Sequence, residues 1–403
     1  MKKRIKSFLI FSNEDILMIV LACLSFSGGI WSNYRQLWRE NIGLNVGEIA
    51  RILSVSLICS AVISFLISIL SNKVRIKDVV MISILFRAVS FIYLFVLKSI
   101  FWIKVFILLG VMSEVIFSIS IWPLIATVNK SDKAYRKHVL VNYISKDVAV
   151  VACAFLLGVS IGNYVFDLNG SMFFALVTSL IGALFLMFFK NNKNEKKDKR
   201  FESIGFKTSI KKLFSSLTSK FYLIIQFVSN VSYGMLFGLM MLILTNYIEF
   251  DISFASIFII VSNLLGSLFT SLLCKVSDKI SVKLSVFLKY GLRALIMILA
   301  VISNNLYVYI ISIVVMYITS RILDDKVNGT YLNRIDTENM FLFGNLRYFL
   351  VSLGDGFGVF VAGIMLNNSL KFLFVGAVFI LILQIILMFW LDNVRIKEDK
   401  LKS

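Results

Sequence analysis

The chain has 403 residues, of which 59% are hydrophobic and only 16% charged, with a mean hydropathy of +0.87. Soluble domains carry about 25% charged and 45–50% apolar residues, so this composition excludes a soluble globular protein and points to a polytopic membrane protein. The formal net charge of +19 does not make it a nucleic-acid binder, because the basic residues sit in short clusters between apolar runs instead of on one face of a soluble domain.

The N-terminal MKKRIK is followed by the polar SNED and then by an apolar run of full length, which reads as an uncleaved first helix and not a signal peptide. A hydrocarbon core about 30 Å thick needs about 20 apolar residues of helix. Runs of that length predict twelve spans, at 15–37, 48–71, 78–97, 101–128, 139–161, 171–190, 221–245, 252–274, 282–302, 306–327, 341–366 and 370–391. Helices are expected because lipid offers no partner to an open backbone group. A large barrel would need alternating ten-residue segments and many turn residues, which a chain with a single proline and long continuous runs does not supply.

Lys and Arg gather at the two tails and in the even-numbered connections, whereas the connections 162–170, 246–252, 303–305 and 367–370 contain none. This asymmetry places both termini in the cytoplasm; Arg35 and Arg39, in the first outer connection, are the exception. Between spans six and seven, residues 190–220 hold ten Lys or Arg against three Asp or Glu. The first part of that stretch reads as a solvated linker, and the IGFKTSIKKLF segment as one that lies along the anionic inner leaflet. The expected organisation is a six-helix bundle at 1–192, a basic cytoplasmic linker at 193–219 and a second six-helix bundle at 220–403. The richness in Lys, Ile and Asn hints at an AT-rich bacterial genome, and the expected location is the bacterial plasma (inner) membrane. Cys23, Cys59, Cys153 and Cys274 fall in or at the ends of apolar runs without metal-ligand spacing, so they read as small buried hydrophobes. His138, the one histidine, belongs to the basic YRKH cluster.

The two halves repeat. At an offset of 206 residues Gly28 falls on Gly234, Asn45 on Asp251, Asn72 on Asp278, Lys73 on Lys279, Lys77 on Lys283 and Arg87 on Arg293; beyond span four the offset becomes 204. A constant offset over so long a stretch reads as tandem duplication of a six-helix unit.

The connection after span two reads Ser68-Ile-Leu-Ser-Asn72-Lys73-Val-Arg75-Ile-Lys77, and the one after span eight reads Cys274-Lys-Val-Ser-Asp278-Lys279-Ile-Ser281-Val-Lys283. These paired basic hinges in a six-plus-six layout resemble the major facilitator superfamily of secondary transporters. That family carries Gly-x-Leu-x-Asp-Arg/Lys-x-Gly-Arg/Lys-Lys/Arg at this place. Both copies lack the family's glycines, and the first has Asn72 in place of the acid. The resemblance implies two bundles related by a pseudo-twofold axis and a gating role for Asn72, Lys73, Lys77, Asp278, Lys279 and Lys283; topology marking is the plainer alternative. It extends over nearly the whole chain but speaks to architecture, not to substrate.

An ionisable side chain at the bilayer centre costs at least about 2.5–3.5 kcal/mol on insertion scales, so each one is a candidate for function. Arg87 in span three and Glu114 in span four lie at equal depth and are expected to pair near the midplane, as a functional or a purely structural pair. In many drug-exporting relatives the position nine residues before the span-four proline holds arginine; here, nine before Pro123, it is Glu114. Lys146 and Asp147 are adjacent in span five and point about 100° apart, one to the cavity and the other to a neighbouring helix. Arg321, Asp324 and Asp325 form an i, i+3, i+4 cluster in span ten that Arg347 can join, read as a cytoplasmic gate before a substrate site. Asp355, on the glycine-rich LGDGFG of span eleven, is the leading protonatable carboxylate, with Glu114 and Asp147 behind it; its alternative is an ion pair with Arg293. Gly158 with Gly162, and Gly354 with Gly358, are four apart and favour close helix approach. By the resemblance, Ser25, Ser27, Trp31, Asn230 and Tyr233 face a cavity that is aromatic, modestly polar and low in charge, with Glu114 and Arg321 as further candidates; helix packing is the plainer alternative for the scattered Ser, Asn and Tyr.

The expectation is therefore a secondary active transporter of alternating access, exporting an amphipathic drug-like or peptide-like molecule by proton antiport; import of a small polar solute is the alternative. No clustered His or Asp supports a membrane transferase, and no Gly-x-x-x-x-Gly-Lys loop supports ATP-driven pumping. Neither an enzymatic activity, a cofactor nor a metal is expected, and the protein is expected to act as a monomer among membrane lipids.

Overall fold

In a computed structural model, residues 12–41, 43–70, 76–96, 99–128, 168–189, 217–251 and 280–321, most of 254–269, and 340–402 are described. All regular structure among them is helical. The helices are α1 (Asn13–Asn41), α2 (Val46–Leu70), α3 (Ile76–Val96), α4 (Ile100–Val128), α5 (Leu168–Met187) and α6 (Leu217–Phe237). Then come α7 (Val282–Ser303), α8 (Leu306–Arg321), α9 (Met340–Leu366) and α10 (Leu370–Lys402). Helix α6 is continued by Met240–Leu242 and by the π turn Ile243–Tyr247; a second π turn, Phe287–Gly291, lies inside α7. These elements match the expected spans one to four, six, seven and nine to twelve, α10 running eleven residues past the expected end. Span five and residues 193–216 of the linker fall outside the described residues, residues 217–219 of the linker belong to α6, and span eight is described only in short helical pieces.

Five of the described helices are long and apolar enough to cross a membrane: Val46–Leu66, Leu217–Tyr247, Val282–Ser303, Leu346–Leu366 and Leu370–Lys397. Their surfaces show which way they face. On α3, Ile82, Leu85, Phe86, Val89 and Ile92 are all exposed, whereas Ser83, Arg87 and Ser90 are buried on the opposite side. The exposed stripe is apolar and the buried one carries the polar groups, the arrangement expected when the surrounding solvent is hydrocarbon. Helix α10 repeats the pattern, with Phe372, Val375, Phe379 and Ile386 outward and Gln384 buried.

The chain divides into two compact units, Met1–Trp38 with Leu70–Lys199 and Arg39–Ile69 with Arg200–Ser403. In the first, α3 packs on α4 and α5, and Leu17, Val20, Leu24, Val80, Ile84, Ile121 and Leu186 form the core. Ser27 ties α1 to α5 by donating to the Ala175 carbonyl at 2.8 Å and sharing a hydrogen bond with Ser179 at 2.9 Å. In the second unit α6 packs on α9 and α10, and α7 on α8 and α10. Helix α2, from the first half of the sequence, packs here: a Cβ at Gly356 would lie 3.1 Å from the Ser54 carbonyl oxygen.

Positions matched by the internal repeat do matched local work. Asn45 accepts from the Glu48 amide at 2.8 Å, and its counterpart Asp251 accepts from the Phe254 amide at 3.2 Å, each opening a helix. Lys77 donates to the carbonyls of Met187 at 3.2 Å and Phe189 at 2.6 Å. Its counterpart Lys283 reaches Asn393 at 3.3 Å, and Lys77–Met187 and Lys283–Asn393 are both 110 residues apart. Arg87 and Arg293 are both buried, at 7% and 4% exposure.

Candidate functional site

The second unit holds a partly open cavity of about 240 Å³ between α6, α7 and α9. Helix α6 contributes Gln226, Ser229, Asn230 and Tyr233; α7 contributes Lys289, Tyr290 and Arg293; α9 contributes Arg347, Tyr348 and Val351. Lys289 and Tyr290 sit on the π turn Phe287–Gly291, a widened turn of the kind that recurs at functional sites.

The cations are held by specific contacts. Arg293, 4% exposed, donates from Nε to Thr319 Oγ1 on α8 at 3.2 Å, and its buried Nη2 has no hydrogen-bond partner among the described residues. Arg347 donates from Nε to Gln226 Oε1 at 3.1 Å. Lys289, also 4% exposed, lies with Nζ 5.4 Å from the Tyr290 ring centroid. The α6 wall is braced from behind, where Gln384 donates to Ser229 Oγ at 2.7 Å and Asn230 donates to the Gln226 carbonyl at 2.6 Å. Tyr233 stacks on Phe237 with centroids 4.7 Å apart, and Phe237 meets Tyr317 edge-on at 4.9 Å.

Of the residues singled out from sequence, Asn230, Tyr233, Arg293 and Arg347 come together in this cavity. Arg347 bonds to α6, and Arg293 bonds to Thr319 instead of to Asp355: the Oδ1 of Asp355 is buried without a hydrogen-bond partner among the described residues. Asp355 lies on α9 at a close approach of α6. A Cβ on Gly234 would collide with the Asp355 backbone, lying 2.9 Å from its carbonyl carbon and Cα. Gly354 and Gly358 make their close approach to α6 as well. In the first unit Arg87 and half-buried Glu114 stand on the neighbouring helices α3 and α4, and Gly28 leaves room for the Arg87 guanidinium, a Cβ there lying 3.2 Å from Nη2. Ser25 is half-buried on α1, Trp31 is on the same helix, and Arg321 ends α8. Asn72, Lys73, Lys146, Asp147, Gly158, Gly162, Asp278, Lys279, Asp324 and Asp325 lie outside the described residues.

The cavity expected from the sequence is low in charge; this one, inside the second unit, is lined by three cations. Lys289 is not distinctive in sequence, because it lies close to the basic hinge at the start of its span, where a lysine reads as a topology signal. Gln226, Ser229 and Tyr348 are ordinary helix residues in sequence, and no spacing distinguishes them. Folding alone brings Arg347 to Gln226, 121 residues away.

The fold has clear counterparts. The structure superposes on a crystal structure of the nucleoside transporter NupG with a TM-score of 0.67 at 14% identity, over 95% of this chain and 99% of that one. It superposes on the human organic anion transporter MFSD10 (TETRAN) with a TM-score of 0.60 at 14% identity, over 93% and 97%. No curated protein sequence matches the chain. A model of the Major Facilitator Superfamily matches residues 8–322, and with apolar helices that turn their polar residues inward, this multi-pass membrane protein belongs to the Major Facilitator Superfamily.

Proposed function

We propose that the protein is a secondary active transporter, a carrier and not an enzyme, that moves a small molecule by alternating access. In this reading twelve helices form two six-helix bundles related by a pseudo-twofold axis, with both termini on the cytoplasmic side of a bacterial plasma membrane. The observation that carries the reading is the cavity of α6, α7 and α9, where polar and aromatic side chains converge between helices whose outer faces are apolar. Pockets between helices of a bundle are where such proteins place their ligands. The tyrosines of that cavity suit an amphipathic cargo, and we assign export driven by proton antiport.

Asp355 is the proposed proton carrier. Its buried Oδ1, without a hydrogen-bond partner among the described residues, lies about 16 Å along α9 from the Leu366 end, near mid-membrane at 1.5 Å per residue, where an ionised carboxylate is costly and a protonated one is not. A second reading, import of a small polar solute, is favoured by the amides and hydroxyl of the same cavity, Gln226, Asn230 and Ser229.

The test is flux in proteoliposomes with an imposed pH gradient, using a panel of dyes and metabolites. Gradient-driven flux that disappears in Asp355→Asn, with folding intact, supports the proton role; unchanged flux rules it out. Accumulation in cells separates export from import by its sign.

A further inference from the structure

We infer that the cavity between α6, α7 and α9 binds an oxyanion: a small organic molecule with a carboxylate, phosphate or sulfonate group, its apolar part against the tyrosines. This deepens the transport reading above, which it needs for the cargo's movement but not for its binding.

The argument begins with charge. The described lining contains Lys289, Arg293 and Arg347 and no carboxylate. Arg293 lies about 16 Å along α7 from Val282, and both it and Lys289 are 4% exposed. Three like charges sharing one pocket inside a low-dielectric slab repel one another, and burial away from water adds to the cost unless an opposite charge offsets it. Among the described residues Asp355 does not provide that charge to Arg293: it is absent from the lining, and its Oδ1 has no hydrogen-bond partner there. A ligand anion does.

Geometry narrows the class. Gln226 holds Nε of Arg347 and Thr319 holds Nε of Arg293. Both guanidinium planes are thereby anchored by one edge, while the buried Nη2 of Arg293 lacks any partner among the described residues. Anchored guanidinium groups suit the oxygens of a carboxylate or phosphate, which they grip in a planar, two-pronged way. Tyr233, Tyr290 and Tyr348 line the same space and offer ring faces and hydroxyls to the rest of the molecule. The cavity, about 240 Å³, is smaller than the roughly 300–1,000 Å³ of drug-sized ligand pockets. Its occupant is therefore closer in size to a metabolite than to a drug. An anionic lipid headgroup presents the same oxygens, and the experiment separates the two sources.

The full-length protein is placed in nanodiscs of phosphatidylcholine and titrated with phenyl phosphate, benzoate, inorganic phosphate and the neutral benzamide, following intrinsic fluorescence and thermal unfolding. Phenyl phosphate or benzoate should bind and raise the unfolding temperature where benzamide does not. Arg347→Gln should weaken that binding by at least about tenfold, the usual scale for removing one member of a close charge pair, and Arg347→Lys by less. Arg347 is half-buried, so its variants keep the test informative if Arg293→Gln fails to fold. Repeating the titration with phosphatidylglycerol present locates the source: competition by the lipid, lost in Arg347→Gln, assigns the site to a headgroup, and no competition assigns it to a soluble anion. Benzamide binding as well as benzoate, binding unchanged in Arg347→Gln, or no anion binding at millimolar concentration would each overturn the inference. Anion binding without gradient-driven uptake would sink the transport reading and leave the site. Flux of a neutral or cationic cargo indifferent to Arg347→Gln would do the reverse.

Discussion

Adding one methyl group at Gly358 tests how the second unit is held together. A Cβ there would lie 2.9 Å from the Met235 amide nitrogen and 3.0 Å from the Val231 carbonyl carbon, and nearer still to the Val231 oxygen. These are backbone atoms of α6 and cannot rotate away. Ordinary contact begins near 3.4 Å, so α6 and α9 would have to part by at least half an ångström. In lipid there is no hydrophobic effect to press helices together, and van der Waals packing carries the association. A gap of about 0.5–1 Å forfeits a quarter to a half of each contact's well depth of about 0.1–0.2 kcal/mol, summed over the interface. The alanine also gains about 0.8–1 kcal/mol of helix propensity over glycine. The net expectation for Gly358→Ala is a loss of about 1–3 kcal/mol, the usual cost of overpacking. Gly182→Ala is the control. Its Cβ would lie 3.4 Å from Cys23 Cβ and 3.7 Å from Leu24 Cγ, ordinary contacts, so the propensity term should dominate and leave that variant equal to or more stable than the wild type. Both can be read from reversible unfolding in mixed dodecylmaltoside and dodecyl sulfate micelles, followed by circular dichroism. Equal stability of Gly358→Ala and wild type would refute the claim that the two helices meet backbone to backbone.

Lys77→Met should destabilise the first unit by about 1–2 kcal/mol, because it removes a charged donor from two carbonyls at the end of α5; Lys77→Arg should recover part of that in the same micelle assay. Glu114→Gln should lower surface expression, and the double exchange Arg87→Glu with Glu114→Arg should restore it if the two groups pair across α3 and α4; failure of the exchange to rescue would show that they act separately.

Much of this protein was legible in one dimension because a bilayer is a strict solvent. It demands apolar runs of a set length, so the described helices begin close to the limits read from hydropathy alone, and α10, which runs eleven residues on, does so where the sequence turns polar. The internal repeat was equally visible, and its matched positions, Asn45 with Asp251 and Lys77 with Lys283, cap and anchor helices in matched ways, because capping depends on a few neighbouring residues. Gly354 and Gly358 announced a close approach by their spacing, but not that α6 would be the helix approached.

The site was a different matter. Lys289, Arg293 and Arg347 share a cavity only because α7 and α9 both border α6 there, and hydropathy, which averages along the chain, carries no information about which helix faces which. The choice of Thr319 over Asp355 as the partner of Arg293 was likewise out of reach, since both lie at a plausible depth and only the packing of α7 on α8 selects between them. Membrane insertion is a property of single segments, and the sequence alone determined it. A binding site is a property of surfaces brought together from distant segments, and only tertiary packing could decide it.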